Sequence, residues 1–280
     1  MRQLHTRAEV RAALAAARQT GARVALVPTM GFLHEGHLSL IDRARTLADC
    51  VVISVFVNPL QFGPTEDLER YPRALGRDAE LAASRGADLL FAPSVTEMYP
   101  DGEPRVSVVP GPGAERLCGA SRPGHFRGVL TVVAKLFGIV QPDAAVFGQK
   151  DVQQAALIRR MVRDLEMPVE IEVAPTVREP DGLALSSRNV YLSAEERGRA
   201  LALVGGLNRC QALFAAGETD PEVLRAALRH ALDAPGVEAE YAEVVDSEIL
   251  APPHRAAPGT VCAVAARLGT TRLIDNFVLA

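Results

Sequence analysis

The stretch VALVPTMGFLHEGH, residues 24–37, joins a short apolar run to a glycine-containing turn and then to the start of a helical pattern. The run VALV has the composition of a buried strand, and Pro28 and Gly31 interrupt it at once. We expect a helix over about 36–47. A turn between a strand and a helix N-terminus presents backbone N–H groups and the positive end of the helix dipole. The stretch therefore predicts an α/β fold with an anion site at its first turn.

The same alternation of continuous apolar runs and helical patterns continues on both sides of this stretch. A capping box formed by Thr6 and Glu9 predicts a helix before it. Continuous rather than alternating apolar strands indicate a parallel sheet with both faces covered. We therefore predict an α/β fold with a Rossmann-like doubly wound parallel sheet, whose ligand binds at the carboxyl ends of the strands. The further strands are predicted at 51–57, 88–92, 144–147 and 169–173, and the further helices at 75–85, 127–138 and 151–164.

The pattern changes after Asn189. Two helices are predicted within 193–234, the second opened by Asp220 and Pro221 as N-cap and first helical residue. Three strand-like runs follow, at 237–246, 260–269 and 271–279. This order indicates a smaller C-terminal α+β domain, and we divide the chain into residues 1–187 and 188–280.

Composition excludes several classes of protein. A net charge of −4 argues against a nucleic-acid-binding protein, since binding to the phosphate backbone needs a clustered basic excess. The sequence contains no apolar stretch of about 18 residues, so we expect no membrane span. The four cysteines are widely spaced and the N-terminus lacks a signal-peptide pattern, which favours reduced thiols in a cytoplasmic protein.

The turn after the first apolar run carries two histidines, His34 and His37, with Gly36 between them. We expect both imidazoles to face one anionic ligand. Their spacing does not fit a zinc site, because the His-Glu-x-x-His motif places its histidines four residues apart on a formed helix. The alternative interpretation is a pair of helix-capping histidines.

Two further segments have the composition of a phosphate site. In FGQKDVQQ (147–154), Gly148 permits close approach of a ligand, Lys150 supplies a compact charge, and Gln154 offers a neutral amide. Lys150 is one of only two lysines, and the other, Lys135, is expected on a helix surface. In LSSRN (185–189), two hydroxyls and a guanidinium suit a phosphate chain. The segments NPLQFG (58–63) and RPGHFRG (122–128) are interpreted equally well as functional loops or as plain turns.

Taken together, PTMGFLHEGHLSL, FVNPLQF, RPGHFRGV, FGQKDVQQ and LSSRN resemble the pantothenate synthetase family in order and spacing, from about residue 3 to TTRLIDN near the C-terminus. The resemblance implies ATP-dependent condensation of (R)-pantoate with β-alanine to pantothenate through a pantoyl adenylate, with release of AMP and pyrophosphate. It also implies ATP as cosubstrate, Mg²⁺, a cytoplasmic homodimer, and an ATP- and pantoate-binding domain (1–187) with a C-terminal lid (188–280).

The resemblance also assigns residues. It implies catalytic roles for His34, His37 as proton donor, Lys150 and Arg188. It implies contacts of Gln61 with pantoate and β-alanine and of Gln154 with pantoate, and it places Asp78 next to Mg²⁺. The implied ATP-binding residues are Met30, Gly31, Phe32, Leu33, His34, Glu35, Gly36, His37, Gly148, Gln149, Lys150, Asp151, Val177, Leu185, Ser186, Ser187 and Arg188.

Two other functions stay open at this point. His-x-Gly-His occurs throughout a nucleotidylyltransferase superfamily, which includes class I aminoacyl-tRNA synthetases. Another member of that superfamily is an alternative, although FGQKDVQQ and RPGHFRG argue against it and the small C-terminal part has no basic anticodon-binding surface. A non-catalytic nucleotide-binding sensor is a second alternative, and the presence of all catalytic-type residues argues against loss of activity.

Overall fold

A computed structural model describes residues 1–64 and 66–280. The chain divides into two compact units, neither continuous in sequence. The second unit includes residues before the predicted boundary at 187/188, and the division into catalytic and lid domains stays a prediction. The first unit is Met1–Gly111, Arg122–Gly148 and Leu157–Ala174, and the second is Pro112–Ser121, Gln149–Ala156 and Pro175–Ala280.

A parallel sheet forms the centre of the first unit, with strand order β1-β4-β3-β2-β5-β6. This confirms the predicted α/β class. Strand β1 was not predicted, because it has three residues and only Leu4 among them is buried. The strands are β1 (Arg2–Leu4), β2 (Val24–Thr29), β3 (Cys50–Val55), β4 (Leu89–Phe91), β5 (Ala144–Gly148) and β6 (Glu170–Ala174).

Helices cover the sheet. The predicted capping box of Thr6 and Glu9 opens the first helix. The side chains of Leu38 and Ile41 pack against strand residues such as Val27, and residues 24–27 are completely buried, as expected for a central strand of a covered sheet. The helices in chain order are α1 (Arg7–Gln19), α2 (Glu35–Arg45), α3 (Leu75–Ser84), α4 (Val95–Met98), α5 (Cys118–Ser121, in the second unit), α6 (His125–Val140) and α7 (Val152–Asp164, shared by both units).

The order in which strands are added to the sheet reverses at β2. The chain passes from β2 through α2 to β3 on one side, whereas β5 pairs with β2 on the other, as Ala25 with Ala144 and Leu26 with Ala145. Open α/β sheets bind ligands outside the carboxyl ends of the strands at such a switch point. Thr29 and Gly148 end these two strands, so the motifs that follow them in sequence are candidates for ligand binding.

The second unit contains an antiparallel sheet of β7 (Glu238–Val245), β8 (Val261–Leu268) and β9 (Thr271–Val278). Helices α8 (Ala194–Ala215) and α9 (Pro221–Leu232) pack on it through a buried apolar core that includes Leu207, Leu228 and Val264. Asp220 caps α9 and Pro221 occupies its first turn, as predicted. No helix in the described part of the chain is long and apolar enough to cross a bilayer.

Candidate active site

The turn that follows β2 is held in one shape by a carboxylate of α3. Asp78 is 1% exposed, and its two oxygens accept the N–H groups of Phe32 (2.8 Å) and Leu33 (2.7 Å). Gly31 has φ +85°, and a Cβ there would lie 2.8 Å from Val55 Cγ1. The glycine is therefore required by both its backbone conformation and its contact with β3.

The expected free backbone N–H groups of this turn are already bonded within the protein. The N–H groups of Phe32 and Leu33 bond to Asp78, that of Gly31 bonds to Thr29 Oγ1 at 3.2 Å, and that of Gly36 bonds to His34 Nδ1 at 3.1 Å. These four groups are therefore not available to an anion in this structure, and the predicted anion site at the turn stays a prediction. Asp78 is 45 residues from Leu33 in sequence, so the local motif gives no sign of it.

The two histidines of the turn cap α2 and also present hydrogen-bond donors. His34 is the N-cap, and His37 Nδ1 accepts the His34 N–H at 3.3 Å. The ring centroids are 4.1 Å apart. Because Nδ1 of each ring accepts a hydrogen bond, each neutral imidazole carries its proton on Nε2. The capping interpretation is thus correct, and in the neutral state it favours the tautomer with the proton of each ring on Nε2.

Gln61 lies in the turn Pro59–Gln61 that follows β3. Its side chain is almost completely buried, and its Nε2 lies 3.1 Å from Met30 Sδ. Its Oε1 accepts a hydrogen bond from Asn58 Nδ2 at 3.1 Å. The structure thus brings together two of the predicted site residues, Met30 and Gln61, and adds Asn58, which begins the NPLQFG segment but had no predicted role.

The RPGHFRG segment supports the Gln61 turn. His125 Nδ1 donates to the Gln61 carbonyl at 2.8 Å, and Arg122 donates to both oxygens of Glu66 at 2.6 Å. Burial raises the pKa of Glu66, but the hydrogen bond and charge of Arg122 outweigh it and lower the pKa overall. A Cβ on Gly128 would lie 2.2 Å from Leu60 O, so only glycine lets α6 pack on this turn. These contacts explain the segment as a structural support.

In the second unit, β9 holds the turn that carries Lys150. Asn276 is 1% exposed, and its Nδ2 donates to the carbonyls of Gln149 and Lys150, both at 3.0 Å. Removal from water lowers the pKa of Lys150, and Arg188 acts in the same direction, while Asp151 partly opposes both. The Lys150 ammonium forms no ion pair with a carboxylate among the described residues. It is therefore a cation suited to an incoming anion.

Two neighbouring glutamines of α7 differ in their surroundings. Gln153 is 4% exposed and bonds to the Cys118 N–H (3.0 Å) and to the carbonyls of Gly113 (2.9 Å) and Arg116 (2.7 Å), so it holds a loop. Gln154 is partly exposed, and its amide makes no hydrogen bond within residues 1–64 and 66–280. This difference is consistent with the predicted contact of Gln154 with a substrate.

The remaining predicted residues lie on a hairpin. The Leu185 N–H bonds to Val177 O at 3.0 Å, so these two residues are adjacent. Ser186 Oγ accepts the Arg188 N–H at 3.2 Å and begins the turn Ser187–Tyr191. Arg178, which lies outside the sequence motifs, joins the hairpin to β9 through a bidentate ion pair with the buried Asp275 (2.6 and 2.9 Å).

Among the described residues, no group of three or more His, Cys, Asp or Glu side chains is arranged to hold a metal ion. Both oxygens of Asp78 accept backbone N–H groups, which is the arrangement of a structural anchor. Its predicted place next to Mg²⁺ stays a prediction.

The doubly wound sheet, the His-x-Gly-His turn after β2 and the lysine turn after β5 define a nucleotide-binding α/β protein of the His-x-Gly-His type. The sequence model of the Pantoate-beta-alanine ligase family matches residues 2–278. The chain belongs to this family.

Individual relatives are similar to this chain over its whole length. The pantothenate synthetase of Moorella thermoacetica is 56% identical over 280 residues, 100% of this chain and 99% of the relative. The crystal structure of pantothenate synthetase from Thermus thermophilus gives a TM-score of 0.93 at 51% identity, over 99% of both chains. Pantoate-beta-alanine ligase from Francisella tularensis, crystallised with beta-gamma ATP and beta-alanine, gives 0.77 at 34% identity, over 99% of this chain and 97% of that chain.

Proposed function

We propose that this enzyme condenses (R)-pantoate with β-alanine in two steps. The pantoate carboxylate attacks the α-phosphorus of ATP, giving pantoyl adenylate and pyrophosphate. The neutral amine of β-alanine then attacks the acyl carbon, giving pantothenate and AMP. The observation that carries the proposal is the whole-chain match to pantothenate synthetases, including 56% identity to the Moorella thermoacetica enzyme.

In the first step negative charge builds on the phosphoryl oxygens, and fixed donors stabilise it. The Nε2–H groups of His34 and His37, the Lys150 ammonium and the Arg188 guanidinium are the donors that we propose. His37 acts here as a hydrogen-bond donor, and its transfer of a proton is not required. ATP is held by the sequence-predicted nucleotide residues, namely Met30–His37, Gly148–Asp151, Val177 and Leu185–Arg188.

We propose that Mg²⁺ enters as the ATP complex. The described residues offer no cluster of acidic ligands, and Mg²⁺ commonly keeps several waters and binds through substrate phosphates. An ion bound in this way would supply charge neutralisation for the departing pyrophosphate. No step requires a direct protein ligand.

For pantoate we propose Gln61 and Gln154 as the contacts, with Gln61 also facing β-alanine. Both offer amide N–H groups, which suit the hydroxyl and carboxylate oxygens of pantoate. The family resemblance further supports a homodimer in the cytoplasm. Size-exclusion chromatography with light scattering measures the molar mass and so tests the dimer.

The first step is tested with ATP, Mg²⁺ and pantoate alone, followed by hydroxylamine. Pantoyl hydroxamate and pyrophosphate in equal amounts are expected. A stable dinucleotide-like product identifies the alternative nucleotidylyltransferase, and ATP binding without turnover identifies the sensor.

The assigned donors are tested in the same assay. His37→Ala or Lys150→Ala is expected to slow hydroxamate formation by roughly 10²–10³, the scale for losing a preorganised charge stabiliser. His230→Ala, on the exposed face of α9, is the control and retains the full rate. Rates near wild type in the first two variants contradict their assignment.

A further inference from the structure

Tyr99 belongs to the first unit, and its hydroxyl contacts Asn58, the residue before the turn that carries Gln61. It follows α4, is 5% exposed, and its hydroxyl donates to Asn58 Oδ1 at 2.9 Å. Its ring packs against Phe56, and the Lys135 ammonium lies 5.3 Å from the ring centroid. These contacts hold the Tyr99 ring in place, and its hydroxyl donates to Asn58 Oδ1.

The orientation of the Asn58 amide follows from its backbone partners. Asn58 Nδ2 donates to the carbonyl of Gly128 at 3.1 Å, and its Oδ1 accepts the Leu60 N–H at 3.4 Å. Backbone groups cannot exchange donor for acceptor, so these two contacts favour one of the two amide orientations. Asn58 is 1% exposed, and the reversed orientation would bury unsatisfied polar groups at its partners.

The Asn58 orientation in turn determines that of Gln61. Asn58 Nδ2 donates to Gln61 Oε1, so the other end of the Gln61 amide is the donor Nε2. Its contact there is Met30 Sδ at 3.1 Å, and a thioether is a weak acceptor. Donor capacity at Nε2 therefore remains for an oxygen of a bound ligand.

We propose that Tyr99 is a positioning residue for the pantoate site: through Asn58 it orients the Gln61 amide so that Nε2 donates to an oxygen of pantoate. The inference rests on the proposed contact of Gln61 with pantoate. Without the Tyr99 hydroxyl, Asn58 Nδ2 keeps its bond to the Gly128 carbonyl, but Asn58 Oδ1 keeps only the long bond to the Leu60 N–H. The Asn58 side chain is then held less firmly, and its preference for one amide orientation weakens. The reversed Gln61 would direct its oxygen at the oxygens of the substrate.

The donor state of Tyr99 is maintained across the working pH range. Burial raises the pKa of Tyr99 to about 12. The phenol is neutral below that pH and keeps its proton for Asn58. The ratio of the pantoate KM of Tyr99→Phe to that of wild type is therefore expected to be constant from pH 6 to 9.

Tyr99→Phe removes the hydroxyl and keeps the ring contacts. We expect the pantoate KM to rise about tenfold, the scale of one net hydrogen bond, with the ATP KM unchanged. The melting temperature should fall by only a few degrees, the scale for the loss of one buried hydrogen bond. Tyr71→Phe is the matched control, because Tyr71 is another buried tyrosine of the first unit and its ring packs against Phe62. A wild-type pantoate KM in Tyr99→Phe overturns the inference, as does an equal rise for Tyr71→Phe.

A double-mutant cycle separates positioning from a general structural effect. If Tyr99 acts through Gln61, Tyr99→Phe has no further effect on the pantoate KM in a Gln61→Ala background. Independent, multiplying effects overturn the inference. If Gln61→Ala alone leaves the pantoate KM unchanged, the proposed contact of Gln61 fails first, and the two failures are thereby distinguished.

Discussion

At the residue scale, Asp78 anchors the turn that carries the two histidines, and its place next to Mg²⁺, which the family resemblance implies, stays a prediction. Its oxygens bond to the N–H groups of Phe32 and Leu33, so the carboxylate fixes the turn before the two histidines. In Asp78→Asn an amide NH₂ group replaces one carboxylate oxygen and faces a backbone N–H donor of the turn. The loss of one buried hydrogen bond costs about 1–3 kcal/mol. We expect a lower melting temperature and a higher ATP KM, with an unchanged Mg²⁺ requirement.

Calorimetry and Mg²⁺ titration of turnover check this prediction. Glu80→Gln, an exposed carboxylate of the same helix, is the control for the loss of charge. An altered Mg²⁺ requirement with an unchanged melting temperature would instead make Asp78 a neighbour of the metal ion.

Lys150 presents a conflict between stability and activity. Burial lowers its pKa below 10.5, so the folded state disfavours the charged ammonium relative to water. This penalty is fully present below the folded-state pKa and disappears as the pH rises through it toward 10.5, because the unfolded chain binds the proton more tightly. Lys150→Met should raise the free energy of unfolding at pH 7 and slow adenylate formation by roughly 10²–10³, as expected for Lys150→Ala. Urea unfolding at pH 7 and pH 10 measures the gain, which shrinks at the higher pH; a loss of stability at pH 7 contradicts the argument.

At the scale of elements, β9 positions the turn that carries Lys150. Asn276 donates to two consecutive carbonyls of that turn, and an alanine there leaves both acceptors without this donor. We expect Asn276→Ala to slow adenylate formation about tenfold, with little change in the pantoate KM. Rapid-quench kinetics with pantoate and ATP measure both. Arg267→Ala, at an exposed ion pair of the same sheet, is the control, and an equal loss there would mean a general weakening of the sheet.

The elements that the sequence predicted are those with a continuous apolar or helical pattern and clear end signals. The strand from Val24 and the helix after Asp220 have enough apolar residues and end signals to be predicted locally. The partners of the motifs were not predictable, because they come from distant parts of the chain. Asn276 reaches Lys150 across 126 residues, and Arg178 reaches Asp275 across 97. Motifs identified the chemistry, whereas the side chains that hold them depend on tertiary contacts.

At the scale of the whole molecule, the compact units do not follow the order of the chain. Arg178 precedes the predicted domain boundary at 187/188, yet its partner Asp275 lies in β9 of the second unit. Leu183 likewise belongs to the second unit's core. A domain boundary predicted from sequence lies where the composition changes. Composition does not show which of the two units the hairpin before that boundary packs on.

The Arg178–Asp275 pair tests this organisation in the intact protein. Asp275 is 2% exposed, and removing one partner of a buried ion pair costs about 3–5 kcal/mol because the other charge stays buried. Arg178→Met should therefore increase hydrogen exchange in β8 and β9 and leave the parallel sheet of the first unit unchanged. Adding Asp275→Asn removes the buried charge, so the double variant should regain part of the protection. Increased exchange in residues 1–111 instead of β8 and β9 would show that the hairpin stabilises the first unit, as a domain boundary at 187/188 requires.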